Sequence, residues 1–214
     1  MRKLLLASNN QDKIVEIRAL LEDISLELLT PNDLGIAMDV EESADSYLEN
    51  AARKAKSFGQ ATNLVCLADD SGLEVDALGG LPGVCSHRFL PIEGATDADR
   101  RRYLLGKLMG YKRPWKAHFH CTVAVYFPTG EIMSCEGNCF GEIIPEERGT
   151  NGFGYDPIFF FPELGLTMAE LSLEQKNRIS HRSLAIRAAR GILERYSRYN
   201  MINPSESGWD KMDT

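Results

Sequence analysis

Two adjacent acids at the end of an apolar run constrain this chain more than any other feature. Leu64-Val65-Cys66-Leu67 is short, apolar and partly β-branched, and reads as a buried strand. It leads into Ala68-Asp69-Asp70-Ser71-Gly72. A strand that stops there delivers its carboxylates to the C-terminal edge of a sheet, where open α/β sheets bind ligands. Neighbouring strand residues point to opposite sides, so one aspartate can face a cleft while the other turns to backbone or solvent. Mg²⁺, a hard cation held by one or two carboxylates plus substrate phosphates, suits such a site. Taken alone, Asp-Asp-Ser-Gly also reads as an Asx-turn that closes a strand. The rest of the chain decides between the two.

A length of 214 residues with 43% hydrophobic content is enough for one sizeable α/β domain, or one domain with two lobes. The formal charge of −7 argues against nucleic acid or an anionic membrane as partner. An anionic ligand then needs a local cluster of Lys and Arg. Leu4 to Ala7 is too short an apolar run for a signal-peptide core or a membrane span. The five cysteines are odd in number and contain no Cys-x-x-Cys, which predicts reduced thiols in a cytoplasmic protein.

Lys3 to Ala7 reads as a first strand, Ser8 to Lys13 as turn and cap, and the following residues as a helix with Ile14, Ile17, Leu20 and Leu21 at core spacing. This arrangement sets helix N-terminal amides beside Ser8, Asn9, Asn10 and Lys13. Such amides and the positive dipole end favour phosphate, although an ordinary capped helix with a solvated lysine has the same pattern. The glycines of a Walker A loop are absent. Leu26 to Leu29 resembles a second strand. An acidic loop over 39–45 then precedes a helix capped by Asp45 or Ser46 and running to about Phe58, with Leu48, Ala51, Ala52, Ala55 and Phe58 inward. Glu49, Asn50, Arg53 and Lys54 fall on its other faces.

Leu73 to Leu78 alternates as a further extended segment, and Gly79-Gly80-Leu81-Pro82-Gly83 is a tight loop. Thr96 or Asp97 starts a helix whose Arg100-Arg101-Arg102 run reads most simply as a solvated face. Ala117–Phe127 and Glu131–Cys139 form a hairpin on which His118 and His120 share a face. Gly149 to Pro157 carries three glycines that let backbone approach a ligand, with Phe153 or Tyr155 placed to stack on a base; a structural turn is equally compatible. Ser180 is a good N-cap for the final helix, which leaves His181 and Arg182 in a first turn where cations are unfavourable. Something negative or electron-rich is therefore expected beside them. From Ser197 to Thr214 the chain is a polar extension.

Six motifs occur in order: Ser8-Asn9-Asn10-x-x-Lys13, Glu49-Asn50-Ala51, Ala68-Asp69-Asp70-Ser71-Gly72, Gly79-Gly80-Leu81-Pro82-Gly83-Val84, Gly152-Phe153-Gly154-Tyr155-Asp156-Pro157 and Ile179-Ser180-His181-Arg182. Together they resemble the inosine triphosphate pyrophosphatase (Ham1-like) family over Lys3 to about Tyr196. The resemblance implies an α/β fold of two lobes with a long mixed sheet, an active-site cleft between the lobes, and a homodimer. It implies hydrolysis of ITP, dITP and XTP to the monophosphate and pyrophosphate with Mg²⁺. By position, Ser8, Asn9, Asn10, Gln11, Asp12 and Lys13 would cradle the triphosphate, with Lys54 adding a phosphate contact. Asp70 would be general base and metal ligand, and Ser71 would touch substrate. Phe153, Gly154, Tyr155 and Asp156 would hold base and sugar, and Lys176, His181 and Arg182 would bind the nucleotide. The second acidic metal ligand falls at Glu41 or Glu42. Arg182 and His181 are expected at the 6-oxo edge of the purine.

Overall fold

The chain alternates strand and helix over its first third, and two long antiparallel strands then carry it away from that start. The structure, a computed structural model, describes residues 1–198. In order the elements are β1 (Arg2–Leu6), α1 (Gln11–Leu20), β2 (Leu26–Leu29), α2 (Tyr47–Thr62), β3 (Val65–Val75), α3 (Asp97–Leu108), β4 (Trp115–Tyr126), β5 (Ile132–Ile143), β6 (Phe159–Phe161), β7 (Leu166–Thr167), α4 (Leu173–Ile179) and α5 (His181–Arg198). The seven strands form one mixed sheet in the order β2-β1-β3-β4-β5-β6-β7. β1 is parallel to both β2 and β3, and the remaining pairs are antiparallel. None of the helices among the described residues is long and apolar enough to cross a membrane. The polar extension lies, from residue 199, outside the described residues; α5 itself continues through Arg198.

The two faces of β3 sort the core by parity. Val65 and Leu67 pack with Leu4 and Leu6 of β1, Ile17 of α1, and Ile186, Ala189 and Leu193 of α5. Cys66 and Ala68 face the other way, onto Ala51, Ala55 and Phe58 of α2. Further along the sheet, Leu73, Val75, Phe119, Ile143 and Phe159 build a second core with Leu104 and Leu108 of α3. Truncating one of these fully buried leucines to alanine is worth about 2–5 kcal/mol. Leu48 points outward, 44% exposed, and Asn50 takes the inward place on α2.

β3 does not stop at the aspartates. It runs unbroken from Val65 to Val75, with Asp69 opposite Val123, Asp70 opposite Thr122 and Gly72 opposite His120 on β4. The uninterrupted ladder offered by β4 overrides the turn preference of Asp-Asp-Ser-Gly, and only Asp76–Leu78 forms a short 3₁₀ turn. The pairing with β1, by contrast, ends at Leu6 opposite Leu67. The aspartates thus stand just past the C-terminal end of the parallel strands, on a strand with one neighbour instead of two. That gap opens the cleft between the lobes.

Candidate active site

The cleft, of about 480 Å³, is entered over the turn between β1 and α1. Asn10 caps α1 by accepting from Lys13 N (3.1 Å), and Ser8 Oγ accepts from Asn10 N (3.2 Å). Ser8, Asn9, Asn10, Asp12 and Lys13 line the cleft, while Gln11 is exposed and outside the lining. Lys13 Nζ reaches into it and stops 3.0 Å from Asp69 Oδ2.

Asp70 faces α2. Its Oδ2 accepts from Asn50 Nδ2 and its Oδ1 from Ser71 N, each at 3.0 Å. Burial raises its pKa; Lys13 opposes the rise, the Glu42 charge adds to it, and Asn50 and Lys54 oppose it. Asp69 faces the other way and turns neither to backbone nor to solvent. It is 1% exposed, and its Oδ2 takes both Lys13 and Arg182 Nε (3.1 Å). Burial works against its charge, yet Lys13, Arg182 and Lys54 hold its carboxyl well below the usual range.

Asn50 and Lys54 are four residues apart and share the inner stripe of α2. Lys54 donates to the Asp69 carbonyl (3.1 Å) and pairs with Glu42. Glu42 lines the cleft; Glu41 is exposed outside it, and only its backbone carbonyl is engaged, by Arg53 (3.3 Å). Of the two candidate metal ligands, the fold brings Glu42 to Asp70.

Arg182 is 1% exposed and locked. Nε donates to Asp69, one terminal nitrogen to Glu16 (2.5 Å) and the other to Ser71 Oγ (3.1 Å). The negative partner expected beside this first-turn cation is therefore the protein's own pair of carboxylates. Lys176, on α4, is likewise held by Glu16 (2.7 Å) and Asp156 (2.6 Å). Its ammonium lies 4.9 Å from the Phe153 ring centre, and the Arg182 guanidinium 5.6 Å away. Burial pushes Glu16 up, but Arg182 and Lys176 outweigh it and its pKa falls. For Asp156, burial wins over Lys176 and the value rises. Burial, reinforced by Arg182 and Lys176, drives His181 well below its ordinary pKa. The neutral ring stacks on Phe119 (4.7 Å) and lines the cleft, and its Nδ1 has no hydrogen-bond partner among the described residues.

Phe153, Gly154, Tyr155 and Asp156 also line the cleft. Tyr155 is pinned by its hydroxyl, which donates to the Ser86 carbonyl (2.9 Å). The arginine run of α3 is a solvated face only at Arg102: Arg100 lines the cleft in a pair with Asp97, and Arg101 donates to the Gly154 carbonyl. Glu16, Asp97, Arg100 and Arg101 were not assigned to the site by the sequence, and Asn50 entered only as part of the Glu49-Asn50-Ala51 motif, without a role. The available signal was a polar side chain recurring at helical spacing among inward residues, as with Glu16 between Ile14 and Ile17. His118 pairs with Glu74 (3.4 Å), and His120 bonds Asn138 and Thr122 (2.8 and 2.9 Å). Among the described residues, no three His, Cys, Asp or Glu side chains gather into a metal site of their own.

The wall thus combines a carboxylate poised to take a proton, a second carboxylate beside it, two lysines at the mouth, and an aromatic ring over buried cations. That set suits attack of water on a phosphoanhydride attached to a planar base. The Ham1 family model matches residues 4–192. A dITP/XTP pyrophosphatase of Thermus thermophilus is 45% identical over 195 residues, covering 91% of each chain. One of Desulforamulus reducens is 42% identical over 194 residues, 90% of this chain and 96% of that one. The solved structure of a HAM1 protein from Coxiella burnetii superposes with a TM-score of 0.82 at 39% identity, covering 90% of this chain and 98% of its own.

Proposed function

This chain belongs to the Ham1 family, and from that premise we infer that it hydrolyses non-standard purine nucleoside triphosphates (ITP, dITP, XTP) to the monophosphate and pyrophosphate. The observation that carries the reading is Asp70: a carboxylate with a raised pKa, held by Asn50 and Ser71 N in a cleft with Lys13, Lys54 and Glu42. A base needs a proton affinity above that of an ordinary aspartate and a fixed geometry, and both are present.

In this reading Lys13 and the amides around Asn9 and Asn10 hold the phosphates, and Lys54 neutralises charge on the leaving side. Asp70 takes a proton from water as its oxygen attacks the α-phosphorus. The bond from that phosphorus to the bridging oxygen breaks, and pyrophosphate leaves with the electron pair. Glu42 and Asp70 fit Mg²⁺, because Glu42 raises the Asp70 pKa and two neighbouring carboxylates in a cleft that takes phosphates are the oxygen donors a hard divalent cation prefers. Bound there, Mg²⁺ would supply charge neutralisation on the phosphates.

Phe153 stacks on the base. His181, neutral and unpartnered at Nδ1, donates to the 6-oxo group, whereas Arg182 acts by fixing the surrounding frame. Adenine, with a 6-amino donor, leaves such a donor unmatched, at a cost of about 1–3 kcal/mol. A cytoplasmic homodimer completes the proposal. The five free thiols suit a reducing compartment. Phe140, 71% exposed and set at a tilt against His118 (5.3 Å), supplies an aromatic surface for a second copy, and sedimentation at twice 23.9 kDa is the expected result.

The test is a panel of ITP, dITP, XTP, GTP and ATP with Mg²⁺, with pyrophosphate and orthophosphate measured separately. Pyrophosphate from the 6-oxo, non-guanine substrates is expected. Orthophosphate as the product would overturn the reading.

A further inference from the structure

We propose that helix α3 positions the nucleobase platform: Asp97 and Arg101 clamp Gly154 by both of its backbone polar groups and thereby hold Phe153 in place. Gly154 N donates to Asp97 Oδ2, and Arg101 donates to the Gly154 carbonyl, each at 2.8 Å. Neither contact is local, since α3 lies more than fifty residues upstream of the turn. Each clamping side chain is itself fixed. The other oxygen of Asp97 pairs with Arg100, whose guanidinium also donates to the Ala95 carbonyl (2.7 Å). The second terminal nitrogen of Arg101 donates to Glu147 (2.8 Å).

The turn needs such a clamp. Phe153 is flanked by Gly152 at φ +72° and Gly154 at φ +61°, two positions in the left-handed region with wide intrinsic freedom. Apart from the cations beneath its ring, Phe153 is restrained locally through Asp156 alone among the described residues: its N–H donates to Asp156 Oδ2 (3.0 Å) and its carbonyl accepts from Asp156 N (3.2 Å), which leaves Gly154 to be held from elsewhere. Helix α3, in contrast, is a firm support. Thr96 and Asp99 close a capping box at its start, and Leu104 and Leu108 are fully buried in the second core. Arg101 is not part of the cleft lining. It is therefore a positioning residue, acting on the base through Phe153.

The inference rests on Phe153 stacking on the purine, and the test separates the two claims. ITP hydrolysis is measured for the parent, Arg101→Ala, Asp97→Asn, Phe153→Ala and Phe153→Ala/Arg101→Ala, with inorganic triphosphate as a competitive inhibitor that reads the phosphate subsite alone. Arg101→Ala is expected to raise KM for ITP by about tenfold, the size of one lost hydrogen bond to a charged group, with kcat within about twofold and the triphosphate inhibition constant unchanged. Asp97→Asn is expected to shift KM in the same direction, and Arg101→Lys, which keeps a donor, to restore part of the loss. In the Phe153→Ala background, Arg101→Ala should add nothing, because the group it positions is gone. If Phe153→Ala raises KM while Arg101→Ala does not, the clamp is refuted and the stacking role stands. If Phe153→Ala itself leaves KM unchanged, the platform reading fails and the clamp with it. A matching rise in KM and in the triphosphate constant for Arg101→Ala would mean general loosening and would also overturn the proposal.

Discussion

Asp69 and Asp70 are the same residue type, adjacent on one strand, and the structure drives them in opposite directions. Asp69 lies in a buried lattice on the α1 and α5 side, where Asp69, Glu16 and Asp156 interleave with Lys13, Arg182 and Lys176. Asp70 lies on the α2 side, where its hydrogen-bond partners are neutral, the Asn50 amide and the Ser71 N–H, and the nearby charges are Lys13, Glu42 and Lys54. Charge is balanced on the first side, which holds that carboxyl ionised and its cations immobile. On the second side Lys13 and Lys54 do not outweigh burial and the Glu42 charge, and the carboxyl there retains affinity for a proton. The comparison teaches that burial alone does not decide whether an aspartate is scaffold or reagent; the sign and number of its partners do.

Removing charge from each side in turn separates the two aspartates most strongly. Asp70→Asn is expected to lower kcat for ITP by about 10²–10⁴, the span of a lost general base. Because burial raises the Asp70 pKa, folding holds that proton more tightly than the unfolded chain does. The stability this gives is present below the ordinary carboxylate range and lost as pH rises through the raised value, so at neutral pH the charge is a net cost. The Asn variant should therefore melt higher than the parent in the presence of a chelator; a lower Tm would contradict the reading of that side.

Arg182→Ala should behave in the opposite way. It strands Asp69 and Glu16 in the interior, at a cost of about 3–5 kcal/mol in urea unfolding, against a smaller loss for Lys54→Ala, whose partner Glu42 is 39% exposed. Equal costs would erase the distinction between the two regions. Lys13→Ala tests a cation that acts on both aspartates and pairs directly with Asp69, and it should weaken ITP binding by about 1.5–3 kcal/mol with a smaller loss of stability, since Arg182 still serves Asp69. Titration calorimetry and thermal unfolding on one preparation check both halves.

The smallest effect concerns His181. Its pKa is lowered by burial and by Arg182 and Lys176, so the unfolded chain binds the proton that the folded chain refuses. Its contribution is fully present above the ordinary value and lost as pH falls below it. The expected slope is about 1.4 kcal/mol per pH unit below roughly 6.5, and His181→Gln should remove it from the difference between unfolding at about pH 7.5 and pH 5.5.

Much of this was legible in the sequence because it rests on short-range rules. The apolar spacing of α1 and α5, the caps at Ser46, Thr96 and Ser180, and the hairpin of β4 and β5 all follow from neighbours in the chain. What escaped depends on partners far away. The Glu16 partner Arg182 lies 166 residues distant, so a lone acid on α1 resembles a solvated one. Arg182 in a first turn does signal an anion, but not that the protein supplies it. The aspartate pair has local turn chemistry, and only the register with β4 shows that the strand continues.

That continuation leaves one side of β3 without a neighbouring strand in the middle of the molecule, and unpaired edges template aggregation once bared. Past Leu67, where β1 ends, the rungs on that side are closed one at a time. Lys54 takes the carbonyl of Asp69, the Asp70 carboxylate takes the N–H of Ser71, Ser86 Oγ takes the N–H of Leu73, and the Leu81 carbonyl takes the N–H of Val75. Lys54 and Asp70, proposed to meet substrate, thus also stand in for part of a missing strand. Variants at Lys54, Asp70 or Ser86 should consequently be assayed for solubility as well as turnover, because each one bares a rung to which another chain can pair.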